Sequence, residues 1–319
     1  MDVLTDLLHR ARARTALVRQ LIQRPPWSVA YADAPALTVM ATLGGHASIR
    51  VGGEPVRLEA GDIALVTSRD YTIADDPGTA EQVTIRGNRK YLPSGEPTTE
   101  HWFLAPRTYG DGLPGATVML RAAYELHGEV SDRLLTLLPE LAVVPAGPRT
   151  GATLDLLAAE VSRDEPGQGA VLNRLLDLVL VQALRAWCAE SPTPPSWYRA
   201  LADPGVGEAL RLLHGDPAHR WTVGELAAKV GLSRAAFAAR FATLVGEPPL
   251  TYLTGWRMTL AADLLRDTEN PIAQVARETG YTDAFAFSVA FKRARGVSPS
   301  DWRRTVAGQL ASRGVRDRL

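Results

Sequence analysis

Cysteine is nearly absent: Cys188 is the only one in 319 residues, which rules out a disulfide framework, a multi-cysteine zinc site and a vicinal redox pair within the chain. Long apolar runs are missing as well. No stretch reaches the roughly 18 uninterrupted apolar residues that span a bilayer. The start, Met1-Asp2-Val3 running into Arg10 and Arg14, lacks the apolar core of a signal peptide. The expected location is therefore the cytoplasm, with no membrane partner. Clustered metal ligands are lacking too. His46 has no second His two residues away, and Arg69, Asp70 and Tyr71 stand where further ligands would follow Gly61-Asp62. His101 and His127 could converge with His46, but a lone His is more often a structural or exposed residue, so no metal and no other cofactor is expected. Paired nucleophile and base, a phosphate-cradling glycine loop and a dinucleotide fingerprint are all absent, and the chain is not expected to be an enzyme.

What is present divides by charge and by periodicity. The chain is neutral overall, but residues 204–319 carry 16 Lys+Arg against 11 Asp+Glu while residues 1–203 carry 19 against 24. A basic C-terminal part beside an acidic N-terminal part is expected when only the former meets phosphates. Residues 3–23 show helical spacing through Val3, Leu4, Leu7, Leu8, Ala11, Leu17 and Leu21, ended by Pro25-Pro26. From Trp27 to about Glu129 the pattern becomes short β-type runs, Leu37–Leu43, Ala47–Val51, Val56–Leu58, Ile63–Val66, Glu81–Arg86 and Val118–Leu126, between Gly- and Asp-rich turns. Such spacing predicts a small antiparallel barrel or sandwich.

Residues 130–142 and 151–190 return to helical spacing on either side of Pro145-Ala146-Gly147-Pro148. The second stretch is apolar over more than one face, through Val171-Leu172, Leu175-Leu176, Leu178 to Val181 and Ala183-Leu184. It either docks wholly on its own barrel or buries part of itself against a second copy of the chain. Ser191-Pro192-Thr193-Pro194-Pro195-Ser196 reads as a stiff exposed linker.

The C-terminal part repeats itself. Val223, Leu226, Ala227 and Gly231 recur 49 residues later as Ile272, Val275, Ala276 and Gly280, and Phe237, Phe241, Gly246, Pro249 and Tyr252 recur 50 later as Phe287, Phe291, Gly296, Pro299 and Trp302. Each unit reads as helix, Gly-containing turn, helix. In the first, Thr222 and Glu225 suit a capping box, Trp221 and Leu226 a hydrophobic staple, and Ser233 a second N-cap. In the second, Pro271 suits the first helical turn and Asp283 the N-cap of a helix burying Phe287, Phe291 and Ala294. Residues 250–266, with Leu253, Trp256, Leu260, Ala261 and Leu264 as core, form a helix that holds the units apart. Two recognition helices can then enter successive major-groove turns, about 34 Å apart.

Residues Trp221–Trp302, above all Ile272-Ala273-Gln274-Val275-Ala276, Gly280-Tyr281, Phe287-Ser288, Ala290-Phe291-Lys292-Arg293 and Gly296-Val297-Ser298-Pro299, resemble the DNA-binding domain of the AraC/XylS family. The N-terminal part, through Gly45 to Ile49 and Val56 to Asp62, is similar to cupin-like sensor domains attached to one branch of that family. The resemblance implies an α+β multidomain chain. Residues 1–145 would be a cupin-like β-barrel sensor, 146–190 a helical dimerisation region, 191–203 a linker, 204–306 an all-α double helix-turn-helix domain and 307–319 a tail. It implies a transcription regulator, acting as a homodimer on double-stranded DNA and controlled by a small-molecule effector, with RNA polymerase as a further partner if it activates. A barrel that only dimerises, leaving a constitutive regulator, and a DNA-tethered cupin enzyme are the alternatives.

The face opposite the buried stripe of the first recognition helix carries Ala235, Ala238, Ala239 and Ala242, flanked by Arg234 and Arg240. The equivalent face of the second carries Phe285, Ser288, Val289 and Lys292. The family often has Arg where Ala239 and Val289 stand. Readout through thymine methyl groups, DNA shape and phosphates is expected in place of bidentate Arg to guanine. Trp27, Tyr31, His46, Tyr71, Trp102, Tyr109 and Tyr124 are the candidate effector contacts in the barrel. Cys188, beside Trp187 in an apolar helix, is either a redox sensor or a buried inert thiol.

Overall fold

The computed structural model describes residues 3–10, 14–87, 89–98, 103–112, 114–191 and 194–316. The chain folds as two compact units. One holds residues 13–126 and 135–193. The other holds residues 194–319 together with two excursions from the N-terminal half, residues 1–12 and 127–134. The main division, between residues 193 and 194, falls inside the expected 191–203 linker, whereas residues 1–12 and 127–134, expected in the N-terminal domain, belong to the helical unit, and the boundary expected at residue 145 lies within one compact unit.

The first unit pairs two mixed seven-stranded sheets. Its strands are β1 (Arg14–Gln23), β2 (Ser28–Ala32), β3 (Leu37–Gly44), β4 (Ala47–Arg50), β5 (Val56–Leu58), β6 (Ile63–Val66), β7 (Tyr71–Ala74), β8 (Val83–Arg86), β9 (Arg89–Tyr91), β10 (Pro97–Thr98), β11 (Phe103–Ala105), β12 (Thr108–Gly110), β13 (Thr117–Glu125) and β14 (Leu141–Val144). The orders are β11-β12-β1-β13-β3-β6-β14 and β10-β9-β8-β2-β7-β4-β5. Each β-type run identified from sequence is a strand, within two residues at either end. A core of Trp27, Val29, Tyr31, Met40, Ile49, Tyr71, Ile73 and Met119 with their neighbours fills the space the two sheets enclose. The opposite face of the first sheet is covered by α3 (Pro148–Val161) and α4 (Gln168–Glu190).

Two readings of periodicity need correction. Residues 14–23, expected to continue a helix, form β1, which hydrogen-bonds between β12 and β13. The apolar residues that satisfy a helical period there, Leu17 and Leu21, satisfy a period of two equally well, and the unpaired edge of β13 decides between them. Residues 141 and 142, expected at the end of a helix, instead begin β14, which pairs with β6.

The second unit contains α1 (Val3–Arg10), α2 (Glu129–Thr136, most of it in this unit), α5 (Ser196–Ala202), α6 (Pro204–Gly215), α7 (Val223–Lys229), α8 (Arg234–Val245), α9 (Pro249–Asp267), α10 (Ile272–Glu278), α11 (Ala284–Arg295) and α12 (Pro299–Arg316). The stretch expected to be linker as far as residue 203 contains α5, because Ala200 is buried against its neighbours. Residues 192 and 193 lie outside the described ones. The side chain of Asp203 then accepts from the N–H groups of Gly205 and Val206 and starts α6. Among the described residues, no helix is long and apolar enough to cross a membrane.

Candidate nucleic-acid interface

The repeat seen in sequence is a repeat in space. Helices α7 and α10 are 7 residues each, and α8 and α11 are 12 each. The ring centroids of Phe237 and Phe241 are 5.7 Å apart, as are those of Phe287 and Phe291. Phe241 meets Tyr252 at 5.9 Å, and Phe291 meets Trp302 at 5.9 Å. The 50-residue offset thus carries a conserved packing geometry from one unit to the other.

Local chemistry starts and stops these helices. Thr222 accepts the Glu225 N–H at 3.1 Å, Ser233 the Ala236 N–H at 3.2 Å, and Asp283 those of Phe285 and Ala286. Gly231 (φ +69°) and Gly280 (φ +84°) make the turns in a conformation that disfavours side chains, and Gly246 and Gly296 end α8 and α11. Three expectations change. The Glu225 carboxylate bonds His219 at 3.0 Å, so the capping box is only half formed. Pro271 is the N-cap of α10, one residue earlier than expected. Ala294 lies on the Phe287/Phe291 stripe but is exposed, being in the last turn of α11 just before Gly296.

Helix α9 ties the two units together. Arg257 Nε donates to the Pro217 carbonyl at 2.7 Å and its Nη2 to the His219 carbonyl at 2.8 Å, while its guanidinium lies 5.9 Å from the Tyr281 ring. One side chain therefore holds the entrance of the first unit and the turn of the second. Met258, Ala261, Ala262 and Leu265 of α9 form a core with Val275, Ala276, Phe287 and Phe291.

The outward surfaces carry the residues singled out from sequence. Arg234, Ala235, Ala239 and Arg240 of α8 are exposed and Ala238 is half-buried. On α11, Phe285 is 76% and Val289 54% exposed, Lys292 is exposed and Ser288 is half-buried. Two large apolar side chains four residues apart and open to solvent are unusual unless something apolar, such as a thymine methyl, meets them. Arg240 is already engaged: its guanidinium grips the Asp203 carboxylate, with Nε at 2.8 Å. Burial raises the Asp203 pKa, but Arg240 and the α6 N–H groups outweigh it and hold the carboxyl below the usual range. Ser288 Oγ donates to the Ala284 carbonyl at 2.8 Å. Arg234 and Lys292 have neither restraint.

The effector candidates divide. Trp27, Tyr31 and Tyr71 meet in the core of the double sheet, with the Tyr31 and Tyr71 rings stacked at 4.8 Å. Tyr109 is half-buried beneath Arg19, 5.6 Å from its guanidinium. His46 occupies the turn between β3 and β4. Tyr124 must be withdrawn: strand alternation sends it away from the core, and its hydroxyl donates to the Leu176 carbonyl of α4. Trp102 and His101 lie outside the described residues. Among those described, no three His, Cys, Asp or Glu side chains gather as metal ligands. Cys188 is fully buried, and burial pushes its thiol up to about 12, which suits an inert core residue rather than a redox sensor.

Two groups of residues escaped the sequence reading. One is Arg121 on β13, the only charged side chain in the run Val118–Ala123, whose Nε donates to the Tyr71 hydroxyl at 2.9 Å. A charge inside a β-type run was the available signal. The other is a chain of Asp6, His214 and Tyr252. His214 Nδ1 bonds Asp6 Oδ2 at 2.8 Å and its Nε2 bonds the Tyr252 hydroxyl at 2.7 Å. Burial lowers the His214 pKa despite the pull of Asp6, so the imidazole is neutral, donating to Asp6 and accepting from Tyr252. Asp6 and His214 are essentially inaccessible, which makes this array structural.

Residues 2–189 match the family model described as Cupin, and residues 226–305 that described as a helix-turn-helix domain. The chain is 34% identical over 317 residues to a putative AraC-like transcription regulator of Streptomyces antibioticus, covering 95% of this chain and 99% of that protein. A second putative AraC-like regulator, from Streptomyces lividans, is 33% identical over 313 residues, covering 95% and 98%. The HTH-type transcriptional regulator AlkR of Acinetobacter baylyi is 34% identical over 197 residues, 59% of this chain and 63% of that one.

Proposed function

The chain belongs to the AraC-like family of DNA-binding transcription regulators, and on that premise we propose that it is a dimeric, cytoplasmic regulator governed by a small molecule held in its N-terminal double sheet. The observation that carries the reading is the pair of geometrically equivalent recognition helices, α8 and α11, linked by α9. Arg234 and Lys292 contact phosphates. Ala235, Ala238, Ala239, Phe285 and Val289 meet the groove floor, where methyl groups are read. Arg240, held by Asp203, presents its remaining donors to the backbone, and Ser288 contributes a hydroxyl at the edge.

Binding of the purified protein to a duplex selected from a random pool, followed by fluorescence anisotropy across a salt series, tests this. Replacing Arg234 and Lys292 together by Ala reduces the slope of log affinity against log salt by about 2, close to 0.9 per lost phosphate contact. An unchanged slope removes both residues from the interface.

Dimerisation is supported by α4. Leu172, Leu176, Val179, Leu180, Ala183 and Leu184 are buried within the unit, whereas Val171 is 46% and Leu178 44% exposed. Leu175, between them on the same stripe, is half-buried, and Leu156 of α3 is 61% exposed. The occupant of this stripe is a second copy of the chain. Light scattering on Val171→Glu/Leu178→Glu should give a monomer where the parent is a dimer; two dimers overturn this placement.

The strand β13 runs through Leu126 into residues 127–134, which are built into the helical unit. There Asp263 of α9 accepts the N–H groups of Glu129 and Val130, and Arg295 of α11 pairs with Glu129 at 2.8 Å. Chain continuity thus supplies a route by which occupancy of the double sheet biases the DNA-reading helices, provided the effector binds two arrangements with different affinity.

A further inference from the structure

Alternation along β13 puts Met119, Arg121 and Ala123 on one face and Leu120, Ala122 and Tyr124 on the other. Met119 belongs to the core shared with Trp27, Tyr31, Met40 and Tyr71, so Arg121 points into that core. It is 8% exposed. Its guanidinium carbon lies 4.2 Å from the centroid of the Tyr31 ring, and its Nε–H is taken by Tyr71. A guanidinium has five N–H donors. Among the described residues no carboxylate pairs with Arg121, and its other four N–H groups donate to no protein acceptor, though its terminal nitrogens are not sealed from solvent.

The surroundings add positive charge. Strand register sets Arg19 of β1 directly opposite Arg121. Leu21, two residues on, packs against the same core, so Arg19 shares that face. Burial and the charge of Arg19 both lower the pKa of half-buried Lys90. Like charges opposite one another on neighbouring strands are destabilising, and a buried guanidinium without an anion is more so. Polar hydrogens without partners stand nearby: the Trp27 Nε1–H, and the hydroxyls of Thr38 and Thr42, which flank Met40 on β3, the residue opposite Arg121. Buried polar groups left open in this way mark a place that something else completes.

We propose that the core face of the double sheet is a binding site for a small organic oxyanion, its charged end paired with Arg121 and Arg19 and its apolar body laid against Trp27, Tyr31 and Tyr71. This rests on the reading of the domain as an effector site and gives the effector its chemical class.

Thermal unfolding of the full chain and of Arg121→Met tests the assignment, with benzoate, hexanoate and phenyl phosphate as probes and benzamide and hexanamide as uncharged counterparts. One or more anions should raise the melting temperature of the parent by several degrees at millimolar concentration, the amides should not, and Arg121→Met should lose the response. Response to the carboxylates or to phenyl phosphate alone identifies the headgroup. Without any probe, Arg121→Met should melt above the parent, because the charge it removes had no counter-ion; that result supports the site even where none of the three anions fits. Equal stabilisation by anions and amides, retained in Arg121→Met, keeps the effector and overturns its charge. No response in the parent, with Arg121→Met melting at or below it, makes Arg121 a structural group and overturns the site.

Discussion

In the helical unit the buried Asp6 carboxylate has His214 at 2.8 Å and Arg10 at 2.6 Å as partners, and His214 in turn bonds Tyr252 and lies 4.4 Å from Trp256. In the double sheet the buried Arg121 guanidinium has two tyrosines and, across the strand, another arginine. Both clusters are polar and enclosed, yet only the first is closed upon itself. A satisfied network contributes to the stability of the fold, whereas an unsatisfied one lowers it until a ligand arrives. On the proposal above, the contrast is between residues that serve the architecture and residues that serve binding.

The sharpest way to break that contrast is Asp6→Ala. It strands the His214 N–H and the Arg10 charge, and chemical denaturation should show a loss of about 3 kcal/mol. A loss comparable to the effect of Arg121→Met would mean that the two clusters do the same work. Next come the turn glycines, where filled and open surroundings can be compared at equal backbone geometry. A Cβ on Gly280 would lie 2.7 Å from the Ala218 carbonyl oxygen, while nothing lies within 4 Å of one on Gly231. Gly280→Ala should cost about 2 kcal/mol and Gly231→Ala about 1, the strain of a left-handed residue alone. Equal losses would show that backbone strain, not crowding, sets both.

The smallest effect is in pH. The His214 pKa is below its ordinary 6.5 in the folded chain, chiefly through burial. Above 6.5 both folded and unfolded states hold a neutral imidazole and its contribution is constant. As the pH falls from there towards the lowered value, the unfolded chain takes up a proton that the folded chain refuses, and stability declines. Asp6, also lowered, contributes a further decline only below its ordinary 3.8: burial raises its pKa, and the bonds from His214 and Arg10 more than offset this. His214→Gln should flatten the unfolding free energy between pH 7 and 5.5; a slope identical to the parent's would place the titration elsewhere.

Legibility in the sequence followed the range of the interactions. Thr222, Ser233 and Asp283 cap helices within three residues of themselves, and the Phe237/Phe241 and Phe287/Phe291 pairs sit one helical turn apart, so both helix-turn-helix units could be read from the chain alone. The strands were legible where turns bracket them. Residues 14–23 were not, because Leu17 and Leu21 fit both periods and only β12 and β13 choose. Tyr124 and Arg121 lie in one run that was read correctly as a strand, but which face is the core depends on where the second sheet packs.

Sequence by itself determined the two recognition helices, the residues on their outer faces, the caps that start them and the unusual absence of arginine at positions 239 and 289. These are consequences of spacing along one segment, where each side chain's neighbours are its own. Tertiary structure alone decided that residue 6 would meet residue 214, that residues 127–134 would belong with the helix-turn-helix unit, and that Arg19 and Arg121 would stand opposite each other on neighbouring strands. Asp6 and His214 are separated by 208 positions. No local pattern records such a pairing, because it exists only once burial has forced each charged group to find, or to lack, a partner.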